Sequence, residues 1–69
     1  MMVEYKHIGW VVQVRQVIGD ADSEWITYND TDRPNEDDSI VFYDMTWGNW
    51  NELADIGDAR CVRVFVEDD

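Results

Sequence analysis

From Ile8 onward apolar side chains fall on alternate positions, with Ile8, Trp10, Val12, Val14 and Ile18 on one side and His7, Gln13 and Arg15 on the other. A period of two is that of a half-buried strand. Gly9 inside this run marks a bulge or a close backbone approach. Residues 19–23, GDADS, then supply turn formers, and EWITY at 24–28 resumes a β-branched and aromatic run. Together they predict an antiparallel hairpin with a loop of about five residues.

Beyond the polar stretch NDTDRPNEDDS at 29–39, the run SIVFYDM at 39–45 reads as a third strand. Its alternate pairs Ile40/Phe42 and Val41/Tyr43 are both apolar, which leaves the buried face open and suits a strand covered on both sides. The period changes at TWGNWNELADIGD, where Trp50, Leu53 and Ala54 stand at i, i+3 and i+4. Asn49 followed three residues later by Glu52 has the form of an N-cap with its capping-box partner, and Gly57 is placed to end the helix in the left-handed conformation. The chain closes on ARCVRVFVEDD, with Val62, Val64 and Val66 on one face and Cys61, Arg63 and Phe65 on the other, a last strand.

The order β-β-β-α-β predicts an α+β fold: a small antiparallel sheet of three to four strands with one short helix, burying the even-numbered apolar set of the first and last strands. With no internal repeat and no dividing linker, residues 1–69 read as a single small acidic domain. At that length one core is hard to stabilise, and four tryptophans supply much of the apolar volume.

Charge changes the picture more than size does. Sixteen acids against five bases leave a net charge of −11, which disfavours direct contact with nucleic acid or an anionic membrane, since both demand clustered Lys and Arg. A basic protein surface is the natural complement. Cys61 stands alone, so no intrachain disulfide and no multi-cysteine zinc site can form, and a reducing cytoplasm is the expected setting. No stretch approaches the roughly eighteen apolar residues of a membrane span, and the start MMVEYKHIGW lacks the long apolar run of an export signal.

Candidate chemistry is sparse. Asp20, Asp22 and Glu24, like Asp30 and Asp32, place oxygen ligands at alternate positions, yet a calcium loop counted from Asp20 meets Trp25 and Thr31 where glycine and a bidentate glutamate belong. Counted from Asp30, those places hold Asn35 and Val41. His7 is the only histidine, so a nucleophile would have to pair it with Ser23, Ser39 or Cys61, which no motif links. His7 reads first as a polar residue on the outer face of the first strand, and Cys61 as a small strand residue, reactive only if its thiol points outward. The carboxylates lie in turns and at a terminus rather than in a cleft, and the four glycines are isolated, so no phosphate loop is formed. The expectation is a protein that is not an enzyme and holds no cofactor and no metal.

Eight of the sixteen acids fall within residues 20–38: Asp20, Asp22, Glu24, Asp30, Asp32, Glu36, Asp37 and Asp38, with Arg33 the one base among them. In extended chain, residues two apart on one side are separated by roughly 6.8 Å, on the scale of successive phosphates. If the hairpin loop and the next connection fall on neighbouring edges, their carboxylates form one negative surface. The competing reading is that such a charge run only solvates the surface. Trp10 and Trp50 are expected in the core. Trp25 and Trp47, at element ends, suit either an interface anchor or core filling.

In small size, acidity, lack of a catalytic motif and a lone cysteine, the chain resembles in composition the small phage-encoded inhibitors that disable host nucleic-acid-binding enzymes. That resemblance implies a DNA-mimic, anti-defence role in a host cytoplasm and carries over no residue. The partner-binding set is then Asp20, Asp22, Glu24, Trp25, Asp30, Asp32, Glu36, Asp37, Asp38 and Trp47, docked on the basic site of a nucleic-acid-binding protein. The alternative is a structural or assembly module, a homodimer, in which a strand edge and the Trp25 or Trp47 region make the contact and the acids serve solubility alone.

Overall fold

A computed structural model describes residues 4–68. The elements run β1 (Glu4–Arg15), β2 (Trp25–Arg33), α1 (Glu36–Trp47), α2 (Trp50–Asp55) and β3 (Ala59–Asp68). The strands form one antiparallel sheet in the order β2-β1-β3. The α+β class and the three-stranded sheet are as the sequence predicts, while the element order is β-β-α-α-β.

The alternation in β1 does what period two requires. Val12 and Val14 turn to the helices and join Tyr43, Leu53 and Ala59 in the core, with Tyr28, Trp50 and Cys61 packed against it. The register decides which residues of β3 share that face. Val12 stands opposite Cys61 and Val14 opposite Ala59, so the odd-numbered side of β3 meets the helices and the even-numbered valines do not. The expected burial of the even set therefore holds for β1 and is corrected for β3: Val62 and Val64 are half-buried and Val66 exposed, on the face that carries no helix.

The predicted third strand at 39–45 lies inside a helix, α1. Its signals are local. Pro34 ends the preceding strand, Glu36, Asp37 and Asp38 occupy the first turn, where carboxylates offset the positive end of the helix dipole, and Gly48 closes the helix at φ 72°, donating its N–H to the Asp44 carbonyl at 2.7 Å. The inward line is Ser39 and Tyr43, one turn apart, both buried. A serine in the middle of the buried stripe hides the helical period, while Val41 and Met45, the latter 82 % exposed, face out. The hydrophobic pattern of SIVFYDM thus describes neither face of a strand.

α2 begins at Trp50 as expected, but the capping box is absent. Asn49 makes no side-chain cap. Its Oδ1 instead accepts the Tyr43 hydroxyl at 2.6 Å, and the Trp50 N–H is met by Asp44 Oδ1 at 3.3 Å. Gly57 sits at φ 81°, the conformation foreseen for the helix end.

β2 is longer than predicted, because residues 29–33 continue it. On β1, Trp10 and Val12 are two apart, whereas their partners Arg33 and Tyr28 are five apart, so β2 carries a wide bulge. Thr31 folds back inside it, fully buried, its hydroxyl accepting the Val12 N–H at 2.8 Å and donating to the Tyr28 carbonyl at 2.6 Å. Gly9 faces this bulge: a Cβ there would stand 2.5 Å from Asp32 Oδ1 and 2.9 Å from the Arg33 carbonyl oxygen. Gly9 also follows a register shift between β1 and β3, so both readings of that glycine hold.

Residues 4–7 and Gly9 of β1 pair with β3, Ile8 is bulged out between them, and none of these has a partner in β2. A two-stranded ribbon thus extends past the rest of the molecule, whose extents are 42 × 27 × 16 Å. Trp10, expected in the core, lies outside it near the ribbon's base, half-buried under the Arg63 guanidinium. Trp50 packs on the core as foreseen.

Candidate functional site

The eight clustered acids separate into two groups at opposite ends of β2. Asp20, Asp22 and Glu24 lie in the turn-rich connection between β1 and β2. There Asp20 Oδ1 accepts the Asp22 N–H at 2.9 Å, and Ser23 bonds back to the Asp20 carbonyl through its hydroxyl at 2.8 Å. This stretch is folded on itself, so the extended spacing read for these three does not apply. The loop is also held from below, since the Gly19 N–H donates to the buried Asp58 carboxylate at 2.7 Å.

The second group runs around the β2–α1 corner. Asp30 and Asp32 are exposed on the bulged end of β2, and Glu36, Asp37 and Asp38 are exposed on the first turn of α1. Only Pro34 and Asn35 lie between the two elements. Arg15 faces Trp25 at one end of β2 and Trp10 faces Arg33 at the other, a separation of five residues on β1, or roughly 17 Å. The acids of residues 20–24 and those of 30–38 are therefore two surfaces.

Arginines decide how much of this charge survives, and their positions were not foreseen. Each guanidinium rests on an aromatic ring: Arg15 and Arg60 cover Trp25 at 4.1 and 4.0 Å, Arg33 covers Phe42 at 4.1 Å, and Arg63 lies 5.2 Å from Trp10. Their hydrogen bonds go to neutral oxygens. Arg15 donates to the Ser23 carbonyl at 2.7 Å, Arg33 to the Asp32 and Asp30 carbonyls at 2.6 and 3.2 Å, and Arg60 to Gln13 Oε1 at 2.8 Å. The cations thus stabilise rings and carbonyls, and the carboxylate groups keep their field. The cross-strand pairs Arg15–Trp25 and Trp10–Arg63 were the available signal, legible once a register is assumed.

The two uncertain tryptophans resolve differently from free anchors. Trp25 is half-buried between its two guanidiniums. Trp47, 40 % exposed, stacks on Tyr43 at 4.9 Å and meets Tyr28 edge-on at 4.8 Å. It belongs to the aromatic cluster that binds α1 to the sheet, with one flank open to solvent.

Tyr43 and Cys61 titrate away from their ordinary range. Burial pushes the Tyr43 hydroxyl up, with Tyr28 adding to it and the hydrogen bond to Asn49 opposing. Burial likewise pushes the Cys61 thiol up, opposed by the neighbouring Ser39 hydroxyl. Cys61 faces the core side of the sheet and stays a protonated, poor nucleophile near neutrality. His7 is exposed and lies between the rings of Trp10 and Phe65 at 5.6 and 5.5 Å. Among the described residues no pocket opens, no three potential ligands gather for a metal ion, and no helix is long and apolar enough to cross a membrane. Comparison with protein-family models, with curated proteins and with solved structures finds no match to this chain.

Proposed function

We propose that this chain is a non-enzymatic binding protein whose acidic β2–α1 corner, Asp30, Asp32, Glu36, Asp37 and Asp38, docks on the basic surface of a nucleic-acid-binding protein and excludes nucleic acid from it. The observation that carries the reading is the disposition of the arginines. A protein that needed its acids only for balance would set its guanidiniums against them, whereas these rest on aromatic rings and bond to neutral oxygens. The corner keeps five exposed acids around Arg33, at the base of the β1–β3 ribbon.

Asp20, Asp22 and Glu24 form a second, weaker surface whose backbone is tied into turns. The first-turn acids of α1 also have a structural use against the helix dipole, so each has a reason to be present apart from binding. The role fits a cytoplasm, that of a host cell if the chain is a phage-encoded counter-defence protein.

The experiment is capture of proteins from a bacterial lysate on the immobilised chain, elution in a salt gradient, and challenge of each captured protein with double-stranded DNA. The expected result is a DNA-binding partner, released by DNA, whose hold weakens steeply as salt rises. A partner retained at about 1 M salt, where charges beyond roughly 3 Å are screened, or one bound equally by a variant carrying Asp30→Asn, Asp32→Asn, Asp37→Asn and Asp38→Asn, overturns the reading.

A further inference from the structure

Among the described residues, the outer edge of β3 is a ten-residue strand edge that no other strand pairs. In the order β2-β1-β3 it is unpaired along its length. Edges are ordinarily blunted by proline, by a bulge or by a covering segment. β3 contains no proline, and the extra residue in its pairing with β1 lies on β1, at Ile8. The middle of the edge, Val64, Phe65 and Val66, is apolar, with Phe65 50 % and Val66 43 % exposed.

Local charge distinguishes this edge from the rest. The pairing stretch 62–68 and its β1 neighbours 4–11 hold Lys6 and Arg63 against Glu4, Glu67 and Asp68, a charge of −1 in a chain of −11. A second copy, strongly repelled elsewhere, can approach here.

Register follows from symmetry. When a strand pairs antiparallel with its own copy, facing residues must both point outward or both inward, so the two-fold axis passes through a residue. Centring on Arg63 would set two guanidiniums face to face, and centring on Val64 would set Arg63 opposite Phe65 and Cys61 opposite Glu67. Centring on Phe65 sets Arg63 opposite Glu67 twice, Val64 opposite Val66 twice and Phe65 against itself, and leaves its one apolar–acid pair, Val62 opposite Asp68, at the ends of the ladder. We propose that two copies of this chain pair through β3 in that register, making one six-stranded sheet with β2 at each outer edge. This stands independently of the acidic corner's role.

Distances favour it. The two β2 strands lie five strand spacings apart, roughly 24 Å, against a screening length of about 8 Å at physiological salt. The pairing uses residues 62–68, which leaves the α2-bearing end of each copy, at Ala59, roughly 20 Å from the axis. Cross-strand charge and apolar pairs are the units that stabilise such a ladder.

Sedimentation equilibrium tests the assembly: the expected mass is twice 8.1 kDa, falling on dilution, and a mass that stays at the monomer value up to millimolar concentration overturns the proposal. Register is tested by cross-linking in a Cys61→Ser background. Facing residues have Cα atoms about 4.5–5.5 Å apart, within the span of a disulfide, so Phe65→Cys links two copies on oxidation. Val62→Cys, whose copies would lie roughly 20 Å apart, does not. Equal linking by both variants, or linking by Val62→Cys alone, overturns the register. Arg63→Glu and Glu67→Arg should each weaken self-association by about tenfold, and the double variant should recover it; a double variant as weak as the single ones also overturns it.

Discussion

β1 and β3 set four bases against three acids, whereas residues 16–58 set Arg33 alone against twelve carboxylates. The two regions also differ in what holds them together. The ribbon is a ladder of backbone pairs running from Glu4↔Asp68 to Val14↔Ala59, and its far half has no helix and no third strand. The acidic half holds the helices, the bulged end of β2 and the aromatic cluster, and it must fold against its own charge. A lone two-stranded ribbon is at best marginal in water, so the balanced region depends on the repulsive one for its core. The acidic half stays folded because a few uncharged contacts fasten it to the sheet.

Severing those contacts gives the largest expected effect. Tyr43 touches Tyr28, Trp47 and Trp50, and its hydroxyl bonds to Asn49. Tyr43→Ala removes the centre of the cluster at a cost of about 3–5 kcal/mol, comparable with the roughly 3–10 kcal/mol that a domain of this length has in total. The expectation is loss of both halves in one transition by circular dichroism during urea unfolding. A variant that kept the ribbon's far-ultraviolet signal while losing the helices would show two independent regions. Tyr43→Phe, which removes only the hydroxyl, should cost about 1 kcal/mol.

Next in size is the bulge where the two regions meet. Thr31→Val keeps the shape but leaves the buried Val12 N–H and Tyr28 carbonyl without their shared partner, a loss of about 1–3 kcal/mol. Gly9→Ala presses a methyl onto Asp32 and the Arg33 carbonyl and should cost a similar amount. Both are read as shifts in the urea midpoint. An unchanged midpoint for either would mean that β2 does not hold this bulge in solution.

Alkaline pH probes the seam from another side. The Tyr43 and Cys61 groups hold their protons more tightly in the folded chain than in the unfolded one, because burial disfavours the charged forms. Their contribution is complete below the ordinary cysteine value of 9.0 and is lost as pH climbs above it, so the melting temperature should fall over that interval. Cys61→Ala should make the fall shallower. A melting temperature indifferent to alkali would remove the argument that these two side chains are desolvated.

How much of this was legible depends on whether the deciding signal was local. β1, α2 and β3 follow from alternation, from i, i+3, i+4 spacing and from Gly57, all contained in short windows. α1 did not, since its buried line begins with Ser39 and its outward face includes Val41 and Met45, so apolar content pointed the wrong way. Pro34, three first-turn acids and Gly48 were the better guides, and the apolar run concealed them. The acids of the candidate site were visible as residues, but their division into two surfaces was not. It depends on residues 29–33 continuing β2, so that the two groups stand at its opposite ends, which nothing in the polar run 29–39 announces.

The smallest expected effect separates charge kept for binding from charge kept for the fold. Asp37→Asn gives up a favourable contact with the α1 dipole, about 0.3–1 kcal/mol, and relieves repulsion from Asp30, Asp32, Glu36 and Asp38. Asp30→Asn relieves the same repulsion with no dipole to lose. If the corner is strained by its own field, Asp30→Asn should raise the melting temperature at low salt and Asp37→Asn should leave it nearly level. Both differences should shrink as salt screens the field. Measured beside partner binding, the pair is informative because a residue that stabilises when neutralised has no structural reason to be acidic. If Asp30→Asn instead destabilises the chain at every salt concentration, the corner's charge belongs to the fold and the comparison between the two halves loses its functional meaning.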